Sequence, residues 1–234
     1  MTVDAATPPA PATRTGRRWL RRVLLALLAL MVAPFILTLG YAVVPPISMP
    51  MIGRALMLQD VQRDWVSFDE IAPALPQAVL ASEDARFCLH NGVDFVELEK
   101  VLSREGGPSR GASTITMQVA KNLYLWPLPT LMRKGAEIPL ALWIDLVWPK
   151  RRTLEVYLNI AEWGDGIFGA EAAAQAHFGK RAADLSAREA ALLAAALPNP
   201  IKRDAGNPTN RLRGRAGTIT ARARQSGDLM ECIK

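Results

Sequence analysis

The sequence predicts a mainly α protein in which one transmembrane helix precedes a single helical domain. Two observations lead to this prediction. Residues 23–44 contain no charged side chain, and the chain after residue 65 is rich in Ala, Leu, Glu and Arg with almost no apolar-polar alternation of strand period. With 234 residues, half of them hydrophobic, the chain has room for one domain plus an appendage and is not expected to be disordered.

The N-terminal region predicts a cytoplasmic tail and a membrane anchor. Residues 1–22 carry five arginines and one aspartate, and we expect them to form a disordered basic tail. The 22 uncharged residues at 23–44 are long enough, as a helix, to cross a hydrocarbon layer of roughly 30 Å. Because arginines favour the cytoplasmic side, the rest of the chain should face outward. A cleaved signal peptide is the alternative, although its apolar region would span about 7–15 residues.

The positive charge lies at the two ends of the chain. Of the net charge of +6, residues 1–22 contribute +4 and residues 202–234 contribute +5, which leaves −3 for the part between them. A nucleic-acid partner is therefore not expected, because such a surface would concentrate basic residues on the folded body. The C-terminal basic residues are predicted to form a tail that touches anionic lipid or has no partner.

Local signals divide the remainder of the chain. Prolines after residue 44 end the membrane helix, residues 45–64 are predicted to lie near the bilayer surface, and the domain covers residues 65–234. Ser186 and Glu189 form a capping box that starts an apolar helix, and Pro198 stops it. The Gly- and Ser-rich residues 103–113 are predicted to be a flexible loop that covers the candidate catalytic residues.

Other patterns exclude some kinds of site. Cys88 and Cys232 allow at most one disulfide, and whether it forms is left open. A structural zinc is not expected, since only two histidines are present and no ligand pairs have zinc spacing. The G-x-G-x-x-G at residues 164–169 follows a helical pattern instead of a strand, so it does not predict a dinucleotide site.

The segment SEDARFCLHNGVDF, residues 82–95, places Glu83, Asp84 and His90 among apolar positions. Paired carboxylates next to an imidazole are candidates for general acid or base chemistry. The alternative is a helix end, in which adjacent acids favour the first turn and Gly92 acts as a cap. From this segment alone the two explanations are equally good.

Three further segments have polar residues at helical spacing. In GASTITMQVAKN, residues 111–122, Thr114, Gln118 and Lys121 lie on one face. Arg133 and Glu137 are four residues apart, as an ion pair on a helix would be. Solvated helix faces would explain these patterns equally well, as they would the pair formed by Glu155 and Asn159.

Five blocks in order resemble the family 51 glycosyltransferases, the polymerases of peptidoglycan glycan strands, and among them the monofunctional members. The blocks lie between Asp69 and Pro200 and are EDARFCLHNGVDF, GASTITMQVAKN, RKGAE, RRTLEVYLNIAEWGDGIFGAEAAAQAHFGK and LSAREAALLAAALPNP. The resemblance implies a lysozyme-like helical domain on the outer face of the cytoplasmic membrane. It also implies inverting transfer from lipid II, with release of undecaprenyl pyrophosphate.

The resemblance assigns roles to individual residues. Glu83 is the general base for the acceptor hydroxyl, and a glutamate is ordinarily ionised at neutral pH. Glu137 is the second catalytic carboxylate and the expected ligand of a divalent metal, Mg²⁺ or Mn²⁺; no organic cofactor is expected. Substrate-binding residues are Asp84, His90, Thr114, Gln118, Lys121, Asn122, Arg133 and Lys134. Glu155, Tyr157 and Asn159 are expected to fix the cleft wall, and Ser113 to cap a helix.

The resemblance also implies partners and leaves alternatives. The implied partners are lipid II, the nascent glycan strand, membrane lipids and proteins of cell division or elongation. A membrane-dipping jaw is expected at residues 123–128, with ordinary core as the alternative. Met117 replaces a glutamine of the family pattern, and Pro139 is awkward in a helix next to Glu137.

Two other functions compete with the polymerase. One is a lytic, lysozyme-like glycosidase, and the other is a catalytically idle scaffold. A bifunctional penicillin-binding protein is not expected, because neither S-x-x-K nor K-T-G occurs and no length remains for a transpeptidase domain.

Overall fold

The computed structural model describes residues 14–103, 112–125, 130–225 and 229–233. Over these residues the chain forms ten α-helices and one small sheet, which confirms the mainly α prediction. The helices are α1 Arg14–Tyr41, α2 Met49–Leu56, α3 Ala74–Glu83, α4 Phe95–Leu102, α5 Ile115–Ala120, α6 Thr130–Val147, α7 Lys150–Ile160, α8 Ala170–Phe178, α9 Ala187–Ala196 and α10 Asn210–Gln225. The strands are β1 Gln62–Arg63, β2 Glu162–Gly164 and β3 Ile167–Phe168.

Helix α1 is long and apolar enough to cross a membrane by length and composition. Its apolar side chains, among them Leu24, Leu30 and Met31, are exposed, as lipid contact would require. The helix starts at Arg14, so residues 14–22 are helical and the prediction of a disordered tail is wrong for them. An arginine-rich stretch has good helix propensity and extends a helix that is already nucleated by the apolar run.

The end of α1 is docked on the helical domain. The indole N–H groups of Trp143 and Trp148 donate to the carbonyls of Phe35 at 3.1 Å and Thr38 at 2.8 Å. The guanidinium of Arg152 donates to the carbonyl of Tyr41 at 2.9 Å. A cation at the last carbonyls of a helix satisfies acceptors that have no partner within the helix. The anchor is therefore a part of the domain and not a free tether.

The segment predicted to be membrane-proximal, residues 45–64, is divided between two environments. Leu56, Met57 and Leu58 are exposed apolar residues at the end of α2. The following β1 pairs in parallel with β3, in the sheet order β1-β3-β2, so the predicted domain boundary at residue 65 cuts through this sheet. A two-residue strand is too short to produce an alternation that a sequence pattern could reveal.

The core is built from α3, α5, α7 and α9. Helix α9 packs on α3, and α5 packs on α6 and α7. The predicted capping box of α9 is confirmed, because Ser186 accepts from the N–H of Glu189 while the Glu189 carboxylate accepts from the N–H of Ser186. Residues 190–196 of α9, mostly alanines, are buried, and their small side chains allow the neighbouring helices to approach closely.

The basic C-terminal residues do not form a tail. Helix α10 packs on α9 and α3 and buries Leu212, Ala216 and Ile219. These three positions follow the spacing i, i+4, i+7, an apolar stripe that is visible in the sequence between the arginines. The prediction of a tail is wrong for residues 210–225, because the high charge concealed a narrow buried face. Contact of these arginines with anionic lipid stays a prediction.

Two sequence features have simple structural roles. Cys88 and Cys232 form a disulfide with Cα atoms 5.5 Å apart, which ties the C-terminal turn Glu231–Ile233 to the turn Phe87–Leu89. The G-x-G-x-x-G segment forms the antiparallel β2 and β3 and the start of α8. Gly169 precedes α8 with φ of 89°, and a side chain there would press on the carbonyl of Asn159.

Candidate active site

Two adjacent carboxylates mark the end of α3. Glu83 is the last residue of the helix and Asp84 is its C-cap. The C-terminus of a helix carries partial negative charge, so it disfavours carboxylates. The helix-end explanation of this pair therefore fails, since the acids lie at the end where the helix dipole opposes them.

A chain of hydrogen bonds orients Glu83. Its Oε1 accepts from Ser82 Oγ at 3.1 Å, and its Oε2 accepts from Gln118 Nε2 at 3.3 Å. The hydroxyl of buried Tyr157 donates to Gln118 Oε1 at 3.1 Å. Burial raises the pKa of the Tyr157 hydroxyl well above its ordinary value, and the nearby Glu83 and Asp84 raise it further. The tyrosine thus stays a donor and fixes the amide so that its NH₂ group faces Glu83.

Asp84 is buried and fully engaged within the protein. His90 Nε2 donates to Asp84 Oδ1 at 3.0 Å, and the N–H of Ile115 donates to Oδ2 at 2.9 Å. The carboxylate therefore joins the end of α3 to the first turn of α5. Asp84, supported by His90, thus connects the two helices that carry Glu83 and Gln118. Asp84 also lines a further cavity together with Ser82 and Glu83. The substrate-binding roles of Asp84 and His90 stay predictions.

Thr114 caps α5, a role that was predicted for Ser113, and the substrate-binding role of Thr114 stays a prediction. Thr114 is the N-cap of α5: its Oγ1 accepts from the N–H of Met117 at 3.1 Å and donates to the carbonyl of Gly92. Ser113, predicted as the cap, accepts from Lys134 Nζ at the edge of the site. Gly92 is not a helix cap, because it lies in the turn before α4, whose N-cap is Asp94. Its φ is 75°, and a side chain there would collide with the carbonyl of Ala141.

Glu137 forms a buried charge cluster on α6. Its carboxylate is only 2% exposed and accepts from Arg133 Nε at 3.0 Å and from Lys134 Nζ at 2.7 Å. The predicted pairing of Arg133 with Glu137 is confirmed. Helix α6 continues through Pro139, and Gly135, with no side chain, occupies the position four residues earlier that the proline ring crowds.

Lys121 and Asn122 lie where the backbone changes from α to π geometry. The π-helical segment Lys121–Leu125 follows α5 directly, and π segments often occur at functional sites. Burial lowers the pKa of the Lys121 ammonium from its ordinary value, and nearby Arg133 lowers it further. Leu123 and Leu125 are buried in the core, whereas residues 126–129 of the expected jaw lie outside the described residues.

Two cavities meet at Gln118. The first, here called the cation cleft, has a volume of about 540 Å³ and is lined by Gln118, Lys121, Asn122, Arg133 and Tyr157 together with residues of α2 and β2. The second, here called the α10 cavity, has a volume of about 580 Å³ and places Ser82, Glu83, Ser113 and Gln118 opposite Arg215 and Arg222 of α10. A reaction at Glu83 can therefore join two bound molecules, one from each side.

Comparisons with known proteins agree with this geometry. The sequence model of the family described as Transglycosylase matches residues 51–224, most of the chain. The chain belongs to the transglycosylase family. A relative from Rhodopseudomonas palustris (strain HaA2), described as a biosynthetic peptidoglycan transglycosylase, is 53% identical over 220 residues, covering 92% of this chain and 96% of the relative.

Two further transglycosylases carry the same description. That of Rhizobium leguminosarum bv. trifolii (strain WSM2304) is 49% identical, with 93% of this chain and 95% of the relative covered. That of Agrobacterium fabrum (strain C58 / ATCC 33970) is also 49% identical, with 91% and 96% covered. The predicted family is confirmed, and the family match extends beyond the five blocks to include α2 and nearly all of α10.

Two of the three predicted cleft-wall residues of this transglycosylase lie elsewhere. Glu155 accepts from Arg152 at 2.7 Å and so supports the contact with α1. Asn159 is fully buried and bonds both backbone groups of Val66. Among the described residues, only Tyr157 of this group lines a cavity. The sequence missed Arg215 and Arg222, which the stripe of apolar residues in α10 could have revealed.

The donor set at Glu137 does not fit the divalent metal that the transglycosylase resemblance implies. Both oxygens already accept from cations, and a metal ion would have to displace Arg133 and Lys134. Within the described part of the chain no group of three or more His, Cys, Asp or Glu side chains could hold a metal. The divalent metal stays a prediction.

Proposed function

We propose that this protein polymerises lipid II, a disaccharide-pentapeptide on undecaprenyl pyrophosphate, into glycan strands of peptidoglycan. One observation carries the proposal: the Glu83 carboxylate is held by Gln118 at the junction of the cation cleft and the α10 cavity. Family membership and the docked apolar helix α1 support it, since the substrate is a membrane lipid.

In the proposed mechanism Glu83 is the general base. It accepts the proton of the acceptor's sugar 4-hydroxyl while that oxygen attacks the anomeric carbon of the donor, with inversion. Ser82 and Gln118 orient the carboxylate by one hydrogen bond to each oxygen. Such positioning is a large part of catalysis, because a well-placed base needs no reorganisation in the transition state.

The leaving group is a lipid pyrophosphate, which gains negative charge as the glycosidic bond breaks. Lys121, Arg133 and Lys134 supply three positive charges, and Glu137 neutralises only one of them, so the cluster keeps a net charge of +2. Fixed cations in a partly desolvated cleft stabilise such charge more than they would in water. Glu137 is proposed to hold Arg133 and Lys134 in place, which assists departure indirectly.

We infer that the protein lies in the cytoplasmic membrane with its N-terminus in the cytoplasm. The arginines of the first turns of α1 favour the cytoplasmic side, and the domain then faces outward. The exposed apolar residues that follow α2 are proposed to contact lipid, which brings the cation cleft close to the membrane surface. Recruitment by proteins of cell division or elongation stays a prediction.

The proposed function is tested by incubating the purified full chain with labelled lipid II in detergent. We expect glycan polymer from the wild type and at least a hundredfold lower rate from Glu83→Gln, about the value of a positioned general base. Glu99→Gln, a change of an exposed glutamate on α4, is the matched control.

Three other outcomes would refute the assignment of the base or favour one of the competing functions. Equal polymer from Glu83→Gln and the wild type would refute the assignment of the base. No polymer from the wild type under several detergent and metal conditions would favour the idle scaffold, and shortening of preformed strands would favour the lytic glycosidase.

A further inference from the structure

The cation cleft contains a carboxylate that the proposed mechanism does not use. Glu162 of β2 lines the cleft together with Lys121 and Arg133, and its side chain is 24% exposed. Its Oε1 accepts from the N–H of Gly166 at 3.1 Å and from Arg54 Nη1 at 3.4 Å. In the described part of the chain Oε2 accepts no hydrogen bond, and the carboxylate forms a salt bridge with neither Lys121 nor Arg133.

The position of Glu162 is fixed by its neighbours. Arg54 of α2 is held by Asp165 Oδ1 at 2.8 Å and donates from Nε to the carbonyl of Asp60 at 3.2 Å. Gly166 lies so close to the carbonyl of Asp60 that a side chain there would collide with it. These contacts give the Glu162 carboxylate a fixed position in the cleft lining, unlike a mobile side chain on the surface.

The lining of the cation cleft carries both signs of charge. It includes the cations Lys121 and Arg133, which do not pair with Glu162, and Glu162 itself beside Arg54. Burial raises the pKa of Glu162, because a partly buried carboxylate loses hydration that a ligand donor could restore. An ionised phosphate offers no proton to Oε2, whereas the hydroxyl and amide N–H groups of a saccharide can donate to it.

We propose that Glu162 is a specificity-determining residue whose Oε2 accepts a hydrogen bond from a hydroxyl or amide N–H group of the saccharide in the cation cleft. The inference rests on the proposed function, because a donor strand whose pyrophosphate lies against Lys121 and Arg133 would run along this cleft. Arg54 and Gly166 are positioning residues that aim the carboxylate. Loss of the contact weakens retention of the strand between successive transfers.

The test compares Glu162→Ala and Glu162→Gln with the wild type in the lipid II assay. We expect about a tenfold rise in KM from Glu162→Ala with kcat changed less than about twofold, the size of one charge-assisted hydrogen bond. The product strands should become shorter. Glu162→Gln, which keeps an acceptor oxygen but no charge, should give an intermediate result.

Asp165→Asn is the matched control, because it alters the same Arg54 cluster from a side chain that is 70% exposed and does not line the cleft. It should leave KM and strand length within about twofold of the wild type, and thermal unfolding of all three variants should be measured.

Wild-type strand length and KM in Glu162→Ala would overturn the inference while leaving the proposed function intact. Equal shortening in Asp165→Asn would also overturn it, by assigning the effect to the fold of the hairpin. No polymer from the wild type would refute the proposed function instead, and the inference with it.

Discussion

At the scale of single residues, hydrogen bonds between neighbouring side chains orient the residues that line the cavities. Tyr157 fixes Gln118, Gln118 fixes Glu83, and Asp84 joins the two helices that carry them. Met117, which departs from the family pattern, is buried in a small apolar cluster with Val93 and Ala141. A hydrophobic side chain suits that position, so the departure leaves the polar face of α5 unchanged.

Lys121 gives a prediction for the dependence of activity on pH. The Lys121 amine must be protonated to bind a pyrophosphate, so kcat/KM should fall as the pH rises through the pKa of this side chain. Because burial lowers that pKa, the fall should begin below the value near 10.4 of an ordinary lysine. Lys121→Arg should move the alkaline limb upward, since a guanidinium stays charged in this range.

The measurement is the pH profile of kcat/KM for lipid II, which reports groups of the free enzyme. Lys100→Arg on α4, a change of an exposed lysine, is the control and should leave the profile unchanged. Coincident alkaline limbs for Lys121→Arg and the wild type would contradict the assignment of Lys121 to the phosphate.

At the scale of elements, α10 is the part of the site that its composition conceals. It buries one narrow face on α9 and α3, and this places Arg215 and Arg222 across the α10 cavity from Glu83. The segment contains enough arginine to suggest a solvated tail. Its helical packing places the same charge in one wall of the α10 cavity.

Arg222→Ala should lower kcat/KM for lipid II by about tenfold, because Arg222 lies close to Glu83 and offers a charge-assisted contact to a substrate anion. Arg211→Ala, at an exposed position on the same helix that lines neither the cation cleft nor the α10 cavity, should stay within about twofold of the wild type. Steady-state kinetics of the two variants, measured at equal salt concentration, test this difference in kcat/KM. Equal losses would indicate a general effect of net charge.

At the scale of the whole molecule, the N-terminal helix α1 and the C-terminal turn are both attached to the helical domain. The last turns of α1 are held by Trp143 of α6, by Trp148 directly after that helix, and by Arg152 of α7. The C-terminal turn is held through the disulfide beside the turn that connects Asp84 to His90. Both contacts constrain the elements that carry the site.

Cys232→Ser should lower the free energy of unfolding by about 2–4 kcal/mol, because the lost disulfide spans 144 residues of sequence and restricts the unfolded chain. Denaturant unfolding in detergent measures this change. A reducing agent should destabilise the wild type by a similar amount and leave Cys232→Ser unaffected. A reductant that shifts both proteins equally would show that the disulfide is not the cause.

The sequence by itself determined the class of fold, the apolar membrane helix, the capping box of α9 and the family, because each depends on local periodicity or on contiguous motifs. It also identified Glu83, Gln118, Lys121 and Arg133 as cleft residues. Only the tertiary structure decided that Asp84, supported by His90, joins α3 to the first turn of α5 and that Thr114 caps α5. It also decided that Glu155 supports the contact with α1 and that α10 forms one wall of the α10 cavity. It also placed Glu162 in the cation cleft. Polar spacing along a helix defines a face, but which neighbour that face meets depends on packing between segments far apart in the chain.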